Sequence, residues 1–239
     1  DMARIFYVNK KTYSQELKKL KDRQDSLRSK GGSLKSESNM QDAKAADDME
    51  KDAKLDASIS EHVYANSALG EYLAVNMLNG NTRVSLNDFR ESSDRNYLVD
   101  AWNEAVYQNP LILGVRSISL DTNTNDLLIQ YDMTREEIKE KQEAIQAEVK
   151  KVAKEIIKDG MSNLKKEIAI NDYLCMSSEF DYAALVIAEK NDFKYFVESF
   201  HDSFNAYGIL LKKKGVCASY AASFKLLADE AGLDSIVVT

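Results

Sequence analysis

The sequence predicts an α+β protein in which helices predominate, and three observations carry that expectation. A long run of apolar positions at helical spacing follows the start signal Thr134/Glu137. Two short alternating segments flank the polar tetrapeptide TNTN at 122–125, and the last residues read as a helix, a glycine and a short apolar strand.

At 239 residues with 44% hydrophobic content, the chain is long enough for one large domain, or a medium domain with an appendage, around an ordinary soluble core. A net charge of -7 and a pI near 5.1 exclude a typical nucleic-acid binder, which needs a concentrated positive surface. Two cysteines, Cys175 and Cys217, are too few for a disulfide framework, although a single bridge stays open. No apolar run approaches the ~20 residues that span a bilayer. The opening DMARIFYVNKK lacks the apolar stretch of a signal peptide, so the chain reads as a mature or trimmed product, with a removed export signal left open.

Residues 10–30 place Tyr13, Leu17, Leu20 and Leu27 on one narrow helical stripe, with eight Lys or Arg against three acidic residues. This predicts a charged arm, and a solvated face outweighs membrane or partner binding as its explanation. Residues 31–54 hold almost no large apolar residue and read as a linker. The arm and linker thus occupy 1–57. A helical region over 58–114 begins with Val63, Tyr64, Leu69, Tyr72, Leu73, Met77 and Leu78, broken by Gly80 and Asn81. Leu98, Trp102 and Val106 fall at helical spacing before Asn109-Pro110 stops the run, so Trp102 is expected in the core.

The third region, 115–239, opens with GVRSISLD and DLLIQYD around TNTN, a predicted β-hairpin. Thr134 and Glu137 form a capping box for a helix carrying Ile138, Ile145, Val149, Val152 and Ile156 to a stop at Gly160. Ser162 starts another helix. Residues 181–214 are rich in aromatics without clear periodicity, predicting short helices or a packed connection. The last helix runs from Cys217 to about Ala231 with Tyr220, Phe224 and Leu227 inward and Gly232 after its end, and DSIVV follows as a strand.

Chemistry concentrates at Cys217. A thiolate at a helix start is stabilised by unpaired N–H groups and the macrodipole, Gly215 permits a sharp turn before it, and small neighbours let other layers approach. Acyl transfer also needs a base, because the leaving group must be protonated. The chain offers His62, which reads as a satisfied histidine in an early helix, and His201 beside Asp202, for which hydrogen-bonding or packing outweighs catalysis. On these grounds a structural Cys217 is slightly favoured, and Cys175 reads as a small buried hydrophobe.

The stretch KKGVCASYAASFKLLADEAGLDSIVV resembles the nucleophile segment of the transglutaminase-like superfamily, in which G-x-C-x-x-Y/F-A opens a helix followed by a glycine and a strand. Gly215, Cys217, Tyr220, Ala221, Phe224, Leu227, Gly232 and Ile236 fit that pattern. NLKKEIAINDYLCMSSEFDYAAL and SFNAYGILLKKKGVC are similar to its upstream segments, so the resemblance covers about Trp102 to Thr239. It implies a papain-like α+β core, incomplete here, in which Cys217 attacks an amide or ester carbonyl of a peptide or protein and passes the acyl group to water or an amine. The Cys217 N–H would be one oxyanion donor, and Tyr207 would line the oxyanion pocket.

The family's histidine and aspartate lie on strands after the one near Ser235, and so are expected beyond Thr239. The chain is then part of a longer enzyme, a product that joins its own C-terminal half, or a binding or structural module in which Cys217 is a relic. In each case the resemblance implies that the remaining part of the domain, a partner chain or a swapped or oligomeric contact covers the nucleophile helix. It also implies a secreted or cell-surface bacterial location. With no metal-ligand cluster or phosphate loop in the sequence, no cofactor and no metal are expected.

Overall fold

The computed structural model describes residues 63–193 and 196–238, and the charged arm, the linker and His62 lie outside them. The fold is α+β. Helix α1, Ala68–Leu78, starts where the Ser67 hydroxyl accepts the Gly70 N–H, while Glu104 accepts the Asn66 N–H at 2.7 Å. Strand β1 is Arg83–Ser85 and helix α2 Arg95–Gln108, capped by Asp94. The predicted hairpin is present as β2, Val115–Asp121, and β3, Asp126–Tyr131, joined through TNTN with Asn125 at φ 57°.

Antiparallel pairing of β3 with both β1 and β2 gives a three-stranded sheet in the order β1-β3-β2. Leu127 and Ile129 of β3 face inward and meet Leu69, Leu73, Met77, Val84, Leu98 and Ala101, with Trp102 half-buried against this group. The sheet therefore crosses the 114/115 boundary read from the sequence, because β1 supplies an edge that periodicity over three residues cannot reveal. Strand β2 is one of the two edge strands, exposed along most of its length, with a bulge between Val115 and Ser117.

The second core lies between three helices. Helix α3, Arg135–Ile156, has the complete capping box, with Glu137 N–H bonded to Thr134 Oγ1 and Thr134 N–H bonded to Glu137 Oε2. Helix α4, Asn163–Ser177, starts on the Ser162 hydroxyl. Helix α6, Cys217–Glu230, ends as expected, with Gly232 at φ +73°. Ile145, Val149, Val152, Ile170, Leu174, Leu227 and Ala228 fill the space between them. The aromatic connector resolves into helix α5, Tyr182–Lys190, a 3-10 turn at Glu198–Phe204 and a single π-helical turn at Gly208–Lys212. The buried Gln142 amide of α3 donates to the carbonyls of Leu78, at the end of α1, and Leu111. No helix among the described residues is long and apolar enough to cross a membrane.

Two expectations are corrected. Ser235–Val238 pairs with no strand among the described residues, because its backbone is held by side chains of Gln108 and Lys225 instead. Cys175 is exposed, because it follows the inward-facing Leu174 and a step of one residue turns a helical side chain about 100° away.

One buried group has no counterpart in the sequence reading. Lys225 of α6 is 1% exposed, with its Nζ 3.3 Å from both Asp229 carboxylate oxygens. Burial pushes the Lys225 ammonium down and the Asp229 carboxyl up, each against the attraction of the other. Lys225→Met alone should lower stability in urea titration by about 3–5 kcal/mol, since it strands a buried carboxylate, whereas Lys225→Met with Asp229→Leu should recover most or all of that loss.

Candidate active site

Two short parallel strands deliver the chain to Cys217. Strand β4, Glu179–Phe180, pairs with β5, Lys214–Gly215, in the register Glu179↔Lys214 and Phe180↔Gly215. The Glu179 N–H donates to the Lys213 carbonyl and the Asp181 N–H to the Gly215 carbonyl, both at 2.9 Å. Each strand passes within two residues into a helix, α5 at Tyr182 and α6 at Cys217.

The carbonyl of Ser203 fixes where α6 begins. It accepts the Val216 N–H at 2.9 Å and the Ser219 hydroxyl at 2.9 Å, and Ser219 also reaches the Val216 carbonyl at 2.7 Å. Both serines and Val216 are buried. The Ser203 hydroxyl donates to Asp181 Oδ2 at 2.8 Å, and Asp181 caps α5 through the Ala184 N–H. Burial alone would raise the Asp181 carboxyl, but the Ser203 and Ala184 hydrogen bonds and the Lys214 ammonium at 3.6 Å hold it below the ordinary carboxylate range.

Both glycines of the approach are required by close packing. A Cβ on Gly215 would lie 2.1 Å from Ser219 Oγ, and one on Gly208 would lie 2.2 Å from the Asp202 carbonyl and 2.7 Å from that of Lys214. Neither has positive φ, so the sharp turn read from the sequence is a close approach of layers. The left-handed residue here is Lys213, at φ +59°, whose Nζ bonds the Leu210 carbonyl and the Tyr173 hydroxyl.

Helix α6 has no side-chain cap, and its N-cap position is held by Val216. The N–H groups of Cys217 and Ala218 have no acceptor among the described residues. Cys217, Ala218 and Ala221 are exposed on that first turn and a half. The inner face packs on α4, which runs antiparallel: Ser178 Oγ lies 3.0 Å from the Tyr220 hydroxyl, and Lys166 donates to the Ala231 carbonyl at the far end. Leu227 is fully buried and Tyr220 and Phe224 half-buried, so the helices already cover most of the apolar face, leaving small side chains open.

The remaining candidates make no hydrogen bond to the thiol among the described residues. His201 Nε2 lies 2.8 Å from the Phe196 carbonyl and 3.7 Å from Asp132, and no hydrogen bond joins it to Cys217 among the described residues. Tyr207 is half-buried under the Lys141 ammonium, 4.8 Å from its ring centre, with its N–H on Asn205 Oδ1; it makes no hydrogen bond to Cys217. Asp202, beside His201, anchors Lys141 and Lys212, the latter at 2.7 Å. Burial would raise its carboxyl, and hydrogen bonds from the two lysines outweigh that and lower it. No group of three or more His, Cys, Asp or Glu among the described residues is arranged to hold a metal.

Sequence reasoning missed Ser203, Ser219 and Asp181, because a serine's partner carbonyl sixteen residues away leaves no local signal. Ser219→Ala should cost about 1 kcal/mol, and Gly215→Ala should cost about 1–3 kcal/mol alone but less in the Ser219→Ala background, where the clashing oxygen is gone. Because the Asp202 carboxyl is lowered on folding, its stabilisation is complete above its ordinary value of about 3.9 and is lost as pH falls through the folded value. Asp202→Asn should therefore lose about 1.5–3 kcal/mol at neutral pH in urea titration, a difference that closes toward pH 2. No protein-family model matches this chain, and no curated protein matches it in sequence.

Proposed function

We propose that Cys217 is the nucleophile of a transglutaminase-like cysteine enzyme acting on amides or esters of a peptide or protein. The observation that carries this reading is an exposed thiol at the first position of a helix without a side-chain cap, beside Cys217 and Ala218 N–H groups that have no acceptor among the described residues. Such a start offers donors to the oxyanion that forms when sulfur adds to a carbonyl.

In the first step the thiolate adds to the carbonyl carbon, and the tetrahedral intermediate expels an amine that takes a proton from a general acid, leaving a thioester. Water or a second amine then displaces the thiolate and gives up a proton to the same group. His201 is engaged with Phe196 and Asp132, so on this reading the base and its orienting acid come from outside the described residues. That engagement of His201 with Phe196 and Asp132, with no hydrogen bond to the thiol among the described residues, favours a second reading, a binding or structural module that keeps the fold without the chemistry.

Alkylation separates the two. Both thiols are exposed, so accessibility does not favour either. With iodoacetamide at neutral pH, followed by peptide mass mapping, Cys217 should react about tenfold or more faster than Cys175. Equal slow labelling removes the nucleophile and leaves the module.

A further inference from the structure

Two adjacent side chains at the end of α2 grip two different stretches of backbone in the same way. Asn109 Oδ1 accepts the Tyr64 N–H at 2.8 Å while its Nδ2 donates to the Tyr64 carbonyl at 2.9 Å. Gln108 Oε1 accepts the Val237 N–H at 3.0 Å while its Nε2 donates to the Val237 carbonyl at 2.8 Å. Each amide offers the acceptor and donor that a neighbouring β-strand would offer, so the backbone arriving at Tyr64 and the backbone leaving α6 are held by consecutive residues.

A second tie joins the same two stretches. The Lys225 ammonium lies 3.6 Å from the Tyr64 ring centre and donates to the Ser235 carbonyl at 2.9 Å. Asp229 completes the cluster, accepting the Ser235 hydroxyl at 3.4 Å and a hydrogen bond from Tyr64. The Tyr64 ring closes one side of a desolvated cation, where a ring face is worth most. Remove the ring and water reaches the ammonium and competes for it with the Ser235 carbonyl.

We infer that Ser235–Val238 is a strap latched by Tyr64 through Lys225, so that displacing the incoming backbone releases the segment that follows α6. Displacement at Tyr64 then acts on the path leading away from the Cys217 helix. Strap release would free the Val237 backbone from Gln108, beside the exposed Ile236 and Val238. The latch does not depend on whether Cys217 is a nucleophile. Its coupling must be reciprocal, since loosening the strap withdraws the Ser235 carbonyl and loosens Lys225 beneath Tyr64.

Residue-resolved amide exchange on the full chain tests it, read at Val237 and Tyr64 with Ile145 and Val149 of α3 as controls. Tyr64→Ala should accelerate the Val237 amide about tenfold with the α3 amides unchanged, whereas Tyr64→Phe, which keeps the ring, should leave Val237 close to its original rate. In the reverse direction Val237→Pro should accelerate the Tyr64 amide. An unchanged Val237 amide in Tyr64→Ala overturns the latch. If Tyr64→Ala accelerates the α3 amides as well, Val237→Pro decides: a Tyr64 amide unchanged there, with α3 intact, overturns it equally.

Discussion

The Ser203 carbonyl receives both the backbone that leads into α6 and the hydroxyl of that helix's third residue, and the placement of Cys217 follows from this. A helix whose first turn carries a capping side chain has its N–H groups satisfied from within. Here the anchor is one residue earlier, at the buried Val216, so the helix is held in place without its leading donors being consumed. Ser219 reinforces the anchor from inside the helix, and Gly215 is absent of a Cβ because Ser219 occupies that space. Firm position and donors without an acceptor among the described residues, which usually compete at a helix start, coexist at Cys217.

That anchor is itself supported at a distance. Ser203 is tied to Asp181, Asp181 to α5 and Lys214, and the neighbouring Asp202 to Lys141 on α3. Charged groups thus surround the 3-10 turn and hold it against the long helix, while apolar packing holds the rest of α6. The division makes physical sense, because a short 3-10 turn has few inward side chains with which to bury area.

Elements whose signals are local were legible in the sequence. The hairpin around TNTN, the Thr134/Glu137 box, the Ser162 start and Gly232 all rest on residues within a few positions of one another, and each stands where expected. The thiol at a helix start was legible for the same reason. What escaped depends on partners far apart in sequence. The stretch DSIVV has strand composition, but strand formation needs a neighbour, and Gln108, 129 residues away from Val237, takes that place. Nothing local marks Lys225 and Asp229 as interior, since their burial comes with the Tyr64 ring and the Ser235 carbonyl meeting the Lys225 ammonium. Cys175 was assigned from the habit of its residue type, whereas the orientation of Leu174 decides its side.

The bulge between Val115 and Ser117 bears on how this molecule behaves among its own copies. Among the described residues, strand β2 has one unoccupied edge and shows Ile118 and Leu120 to solvent, a combination that invites further strands to add. The bulge breaks the regular spacing of that edge, and Arg116 sits at the break with its guanidinium directed to Asp132. An incoming strand can follow only the short run from Ser117 to Asp121 before meeting a twist and a charge. The irregularity therefore shortens the regular edge that a further strand could follow.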